Sequence, residues 1–205
     1  MNIADTLDGA TRLVAIIGDP IAQVKSPAGV TQSLIDRDRN AIVVPIHVTT
    51  ADLERFIQGV SLARNLDGII VTVPHKFDVF RLCATTTERA QFLGAVNVLR
   101  RKDDGSWHGD HADGVGFVEG IRTAGCRLEG RRALLAGAGG AGSAIELALL
   151  SAGVVPRRRL ARIGTSAPIA DRGRAGGRRR RAATRRRHRN SCESLCRARM
   201  RRLSP

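Results

Sequence analysis

The stretch Arg132–Ala152, RALLAGAGGAGSAIELALLSA, restricts the fold more than any other part of this chain. It joins a short apolar strand (Ala133–Ala136), a glycine turn (Gly137–Gly142) and a helix. In that helix Ala141, Ala144, Ile145, Ala148 and Leu149 recur at i, i+3, i+4, i+7 and i+8 and share one face. Gly137, Gly139 and Gly142 stand at the G-x-G-x-x-G spacing. Gly137 suits a tight turn, Gly139 a close approach of a pyrophosphate to the backbone, and Gly142 a helix lying close on its strand. The phosphates would then meet the free N–H groups of the helix N-terminus. Glycine spacing alone is a weak signal, since any α/β domain contains strand–turn–helix units. The strand before and the helix after supply the context the motif requires. Gly137, Ala138, Gly139, Gly140, Ala141 and Gly142 are therefore read as a dinucleotide loop.

Charge divides the chain at the same place. The formal net charge is +15, yet residues 1–150 hold 16 Lys/Arg against 17 Asp/Glu. Residues 151–205 hold 18 Arg, no Lys and 2 acids, and all six Phe/Trp lie in the first part. The first part has the composition of an ordinary globular protein and the second does not. No apolar run approaches the roughly 20 residues that span a bilayer, and no basic-then-apolar leader opens the chain. Cys83, Cys126, Cys192 and Cys196 show no disulfide framework, so a reducing cytoplasm is expected.

Taken in order, Met1–Thr11 reads as a loose lead-in and Leu13–Ile17 as a strand ended by Gly18-Asp19-Pro20. Ser26-Pro27 opens a helix with Ser as N-cap and Pro at the first helical position. Ile42–Val48 is a second strand. A helix follows from about Ala51, buried through Leu53, Phe56, Ile57 and Val60. Gly68–Val73 is a third strand, nearly all β-branched and expected to be buried on both faces. Thr85–Glu88 suggests a helix start, Ala95–Arg100 a strand, and Asp103–Ser106 a turn. Asp113-Gly114 leads a helix carrying Val115, Val118 and Ile121. Strands alternating with helices at this spacing predict an α/β protein with a mostly parallel sheet.

Lys76 follows a buried strand at its carboxyl end, where open α/β sheets place ligands. A lysine there is also an ordinary solvated charge. Asp113 stands at a helix start just before the glycine unit. Asn97 and Thr72 lie in or near strands and can hydrogen-bond a polyhydroxylated ligand, although Asn97 can equally serve a neighbouring backbone group. His75 reads as a loop residue rather than a ligand or base.

Five motifs together resemble the shikimate dehydrogenase family over residues 12–153: Gly18–Pro27 (GDPIAQVKSP), Val71–Lys76 (VTVPHK), Gly94–Asn97 (GAVN), Gly109–Gly116 (GDHADGVG) and Gly137–Gly142. The resemblance implies a substrate domain, a Rossmann-type dinucleotide domain, and NADP-linked hydride transfer between 3-dehydroshikimate and shikimate, with NAD not excluded. It implies Lys76 and Asp113 as the catalytic pair, Lys76 handling the proton of the reacting hydroxyl and Asp113 orienting it. Ser26, Thr72 and Asn97 match positions that bind substrate oxygens, and no metal is implied. Two positions depart from the family: Val24 and Ile70 stand where it usually has serine and asparagine. A site that loses polar groups loses discrimination, so a related substrate such as quinate is the alternative.

The resemblance stops after Gly153. Pro156 is expected to interrupt the next strand, and Arg157–Arg159 read as a 2′-phosphate clamp only against a background of arginine. Three readings of residues 154–205 compete. They form a disordered tail, a nucleic-acid arm that uses Arg178–Arg181 and Arg185–Arg187 without sequence preference, or the product of a shifted reading frame. The last is preferred, because arginine without lysine is what GC-rich DNA yields out of register. His188, Cys192 and Cys196 lack a fourth ligand for zinc. The expected organisation is a substrate domain over 1–113, a linking helix and first β–α unit over 114–153, and the Arg-rich tail over 154–205. The cofactor domain would thus be incomplete, and whether the chain is active is left open. The competing class is a non-enzymatic basic protein that binds nucleic acid, and oligomeric state is left open.

Overall fold

The computed structural model describes residues 7–137 and 139–156. Ala138, the arginine runs, His188, Cys192 and Cys196 lie outside the described residues, as do all three readings of the tail beyond Pro156.

Each apolar run bounded by turn residues becomes a strand. These are β1 (Arg12–Gly18), β2 (Ala41–His47) and β3 (Leu66–Val71), with helices α1 (Ser26–Ile35) and α2 (Leu53–Val60) between them. Then come α3 (Lys76–Arg81), β4 (Thr85–Thr86), α4 (Glu88–Leu93), β5 (Val98–Arg101) and β6 (Trp107–Asp110). The six strands form one sheet in the order β2-β1-β3-β5-β6-β4. Its β2, β1 and β3 are parallel, β5 is antiparallel to both β3 and β6, and β4 runs parallel to β6. Pro45 sits within β2 opposite Ile16. It is tolerated there because β2 ends the sheet, and an outer strand has ladder positions that need no donor.

Ile17, Ile69, Val79 and Val96 are wholly buried, with Leu99, Val71 and Ala15 at 1% exposure, so the core lies against the middle of this sheet. Each buried aliphatic side chain of this size contributes about 1.5–3 kcal/mol relative to exposure. The third strand departs from expectation. It ends at Val71, Ile70 is only half-buried, and Val73 is 58% exposed. The chain leaves the ladder there because the Val73 carbonyl accepts the Asp19 N–H at 3.0 Å, tying two loops together.

Helix α1 also differs by one residue. Lys25 takes the cap position, so Ser26 and Pro27 occupy the first two helical positions and Ser26 makes no capping bond. The first N–H groups of a helix lack partners in any case, so proline is accommodated at either place. Thr87 does cap α4, accepting the Ala90 N–H at 3.3 Å. The strand expected over Ala95–Arg100 begins at Val98. Residues before it are tied to other elements, Val96 N–H donating to the Lys76 carbonyl and Asn97 N–H to that of Asp110, each at 2.9 Å.

After the sheet come α5 (Asp113–Thr123), β7 (Arg132–Ala133), α6 (Gly140–Ser151) and β8 (Val155–Pro156). A second cluster of Val118, Leu128, Leu149, Ala152 and Val154 holds them together. Val115, expected in that stripe, is 41% exposed, and Ala141 in the first turn of α6 is exposed as well. The helices meet instead through Gly114, where an added Cβ would lie 2.1 Å from the Ala144 carbonyl oxygen. Of the strand expected over Ala133–Ala136, the structure describes β7 at Arg132–Ala133 and a bridge at Ala136, and Leu134 is 69% exposed. Pro156, expected to interrupt the next strand, lies in β8 opposite Ala133, and the ladder bond there is made by Val155 N–H to the Arg131 carbonyl at 2.8 Å. No helix among the described residues is long and apolar enough to cross a membrane.

Candidate active site

Sheet direction brings the candidate residues to one end. β1 and β3 are parallel, so the loops toward Ser26 and Lys76 leave the same edge. β5 runs against β3, so the residue preceding it, Asn97, lies where β3 ends. β6 runs against β5, so the segment after Asp110 returns to that edge and starts α5 at Asp113. Asn97 is therefore not inside a strand but at the mouth of one, and Thr72 is the first residue beyond β3.

Three of the five candidates are joined directly. Lys76 Nζ donates to Asp113 Oδ2 at 2.5 Å, and Asn97 Nδ2 donates to Asp113 Oδ1 at 2.5 Å. Asn97 Oδ1 in turn accepts the Ala112 N–H at 2.7 Å. The asparagine thus serves both the backbone and the carboxylate, and keeps one N–H donor free. The side chains of Lys76 and Asp113 are 12% and 27% exposed, which shields the pair from water while leaving it reachable. Charge-assisted bonds of this kind are roughly twice as strong as neutral ones.

Thr72 is set by Gly18, because a Cβ on that glycine would lie 2.5 Å from Thr72 Cγ2. Its hydroxyl makes no hydrogen bond among the described residues, nor does that of Ser26, which stands exposed at the start of α1. Ser26 is thus at the right end of the sheet but unconnected to the other four. The loop leading to it is held by His47 Nε2 and Asp19 Oδ1, 2.8 Å apart. His75, expected in a loop, stands at the N-cap of α3 and is fully buried, with Nε2 2.7 Å from the Val48 carbonyl.

Two features escaped the sequence. Arg89 and Thr87 both donate to Asp110, with Thr87 Oγ1 at 2.6 Å and Arg89 Nε at 2.6 Å. Burial pushes the Asp110 carboxyl up, but these bonds outweigh it and hold it at about 2. His111, next in the chain, is 1% exposed. The only available signal was its position between two aspartates in Asp110-His111-Ala112-Asp113.

The glycine turn lies beside this cluster. A Cβ on Gly140, the first residue of α6, would sit 3.5 Å from Lys76 Cδ and 3.8 Å from Phe77 Cζ. Gly137 has φ +107°, in the region that favours glycine, and a Cβ on Gly142 would meet the Gly137 carbonyl at 2.8 Å. Around Gly139 there is open space. A tight turn with free helical N–H groups fits a pyrophosphate. Ala138 of this loop lies outside the described residues.

These features define a class: an α/β protein whose lysine–aspartate pair, at the carboxyl edge of a sheet, adjoins a glycine turn suited to a dinucleotide. Residues 16–99 match the shikimate dehydrogenase substrate binding domain. The chain is 40% identical over 148 residues to the NADP(+) shikimate dehydrogenase of Rubrobacter xylanophilus, covering 72% of this chain and 52% of that one. It superposes with TM-score 0.65 and 29% identity on the Thermus thermophilus shikimate 5-dehydrogenase, solved with NADP(H) and shikimate, over 71% of this chain and 54% of that one. It also resembles the 5-ketofructose reductase of a Gluconobacter strain, with TM-score 0.64 and 27% identity over 71% and 53% of the two chains. Over these residues the chain is similar to the shikimate dehydrogenase family. It spans about half the length of the curated relatives it matches.

Proposed function

We propose that this chain carries the substrate-binding and catalytic machinery of a shikimate dehydrogenase, an oxidoreductase that interconverts 3-dehydroshikimate and shikimate with NADP. The observation that carries the reading is the Lys76–Asp113–Asn97 cluster standing against the first turn of α6. The division into a substrate domain to residue 113 and a nucleotide unit from 114 belongs to the same proposal. So does a cytoplasmic setting, supported by the free thiols of Cys83 and Cys126.

Lys76 gives one of three N–H donors to Asp113 and keeps two for a substrate oxygen. In reduction this ammonium gives a proton to the carbonyl oxygen as the hydroxyl forms and is left as the neutral amine; in oxidation the amine takes that proton back as the carbonyl forms. Asp113 fixes the ammonium, and its remaining lone pairs orient the hydroxyl. The free N–H of Asn97 and the hydroxyls of Thr72 and Ser26 bind further substrate oxygens. Gly137–Gly142 and the N-terminus of α6 hold the pyrophosphate. A bound nicotinamide supplies or accepts the hydride. The choice of NADP is supported by the names of the curated relatives.

A related polyhydroxylated substrate is the second reading. It is favoured by Ile70, an apolar, half-buried residue of β3 where the family usually has asparagine. The similarity to a 5-ketofructose reductase also favours it. Steady-state oxidation of shikimate and quinate with NADP⁺ by the full chain tests both readings. Turnover of shikimate that Lys76→Met removes is the expected result. Turnover that survives the substitution would contradict the proposed role, and preference for quinate would favour the second reading.

A further inference from the structure

His111 is 1% exposed, and neither Nδ1 nor Nε2 has a hydrogen-bond partner among the described residues. A neutral imidazole carries one donor and one acceptor nitrogen. His75, equally buried, meets a backbone carbonyl through Nε2, as a structural histidine does. The His111 backbone is fixed, its N–H donating to Asp110 Oδ1 at 2.6 Å.

Four charged groups, each from a different element, act on the ring through space: Asp113 of α5, Lys76 of α3, Asp110 of β6 and Arg89 of α4. They form two closed pairs, Lys76 with Asp113 and Arg89 with Asp110. The surroundings of the ring are therefore balanced in charge. A proton on His111 would add a third cation where two carboxylates already have partners. Asp113 would be drawn toward the imidazolium and away from Lys76.

We propose that His111 is a positioning residue: neutral between two ion pairs, it keeps Asp113 turned to Lys76, and its protonation sets the lower pH limit of substrate binding. This rests on the reading of Lys76 and Asp113 as the substrate site. Burial is the chief cause that holds the imidazole below its usual value of 6.5. Lys76 and Arg89 add to the effect, while Asp113 and Asp110 oppose it. The ring is thus neutral above 6.5 and gains its proton only as pH falls further. In the unfolded chain it protonates first, so the stability it contributes is present above 6.5 and is lost as pH falls toward the folded value.

The test is an NMR titration of the imidazole carbons and the Asp113 carboxyl carbon in the full chain. It is paired with shikimate titrations at pH values on either side of the His111 midpoint so found. One histidine should titrate below 6.5 and vanish in His111→Gln, and the Asp113 resonance should show a step at the same midpoint. Wild-type affinity should fall as pH is lowered across that midpoint, while His111→Gln and His111→Asn should bind equally on both sides of it. The same fall in the variants, or a His111 midpoint at or above 6.5, would overturn the proposal. If neither variant folds, an Asp113 resonance without a step at the His111 midpoint overturns it in the wild type. No shikimate binding at any pH would sink the functional reading instead, and the two resonances would still decide the positioning role.

Discussion

The substrate half of the molecule stands on a continuous sheet of six strands, with Ile17, Ile69, Val96 and Leu99 buried to 1% exposure or less. Among the described residues the glycine-turn half holds one strand pair, β7 with β8, and its buried cluster from Val118 to Val154 keeps 5–8% exposure. Leu134 and Val155 there are 69% and 52% exposed. The two halves ask different things of their frames. The side chains proposed to react, Lys76 and Asp113, need fixed positions, and a broad sheet supplies them through three separate strand ends. A pyrophosphate site needs only a turn and the first N–H groups of one helix, which α6 provides locally.

The largest effect expected concerns the chemistry. Lys76→Met should lower kcat by about 10²–10⁴-fold, the range for loss of a positioned proton-transfer group, while thermal melting barely moves. A matching loss of stability would mean that the lysine holds the two halves together rather than acting on substrate. Next comes the core. Leu99→Ala should cost about 2–5 kcal/mol in chemical denaturation, with Leu149→Ala at or below the lower end of that range. Equal costs would remove the contrast between the halves.

Gly114→Val is smaller and more local. Its Cβ meets the Ala144 carbonyl, so α5 and α6 must separate, at about 1–3 kcal/mol by denaturant titration. Shikimate binding should weaken with it, because Asp113 begins α5. Thr87→Ala should cost about 0.5–2 kcal/mol as a lost cap. It also removes a bond that holds Asp110 low. The folded value of Asp110, about 2, lies below its ordinary 3.8. Its contribution to stability is therefore present above 3.8 and lost as pH falls toward 2. Asp110→Asn should flatten acid unfolding curves across that window, and an unchanged slope would contradict the assignment.

Much of the sheet was legible because β1 and β2 are apolar runs cut off by turn residues. The errors have local causes. Ser26-Pro27 carries a capping signal, yet Lys25 takes the cap. Leu134 and Leu135 look like strand, yet only Arg132 and Ala133 find a partner in β8. Lys76 and Asp113 were legible through their motifs and not through position, since a lysine after a strand is usually solvated. Arg89–Asp110 and the burial of His111 were invisible because they depend on α4 crossing β6, and 21 residues separate the partners.

The most direct measurement is shikimate binding by the full chain without nucleotide, followed through backbone and side-chain amide shifts. The expected result is saturable binding with shifts at Thr72, Lys76, Asn97 and Asp113, and clear weakening by Asn97→Ala. Binding that leaves those residues undisturbed, or that Lys76→Met and Asp113→Asn do not weaken, would contradict a substrate site built on the sheet edge.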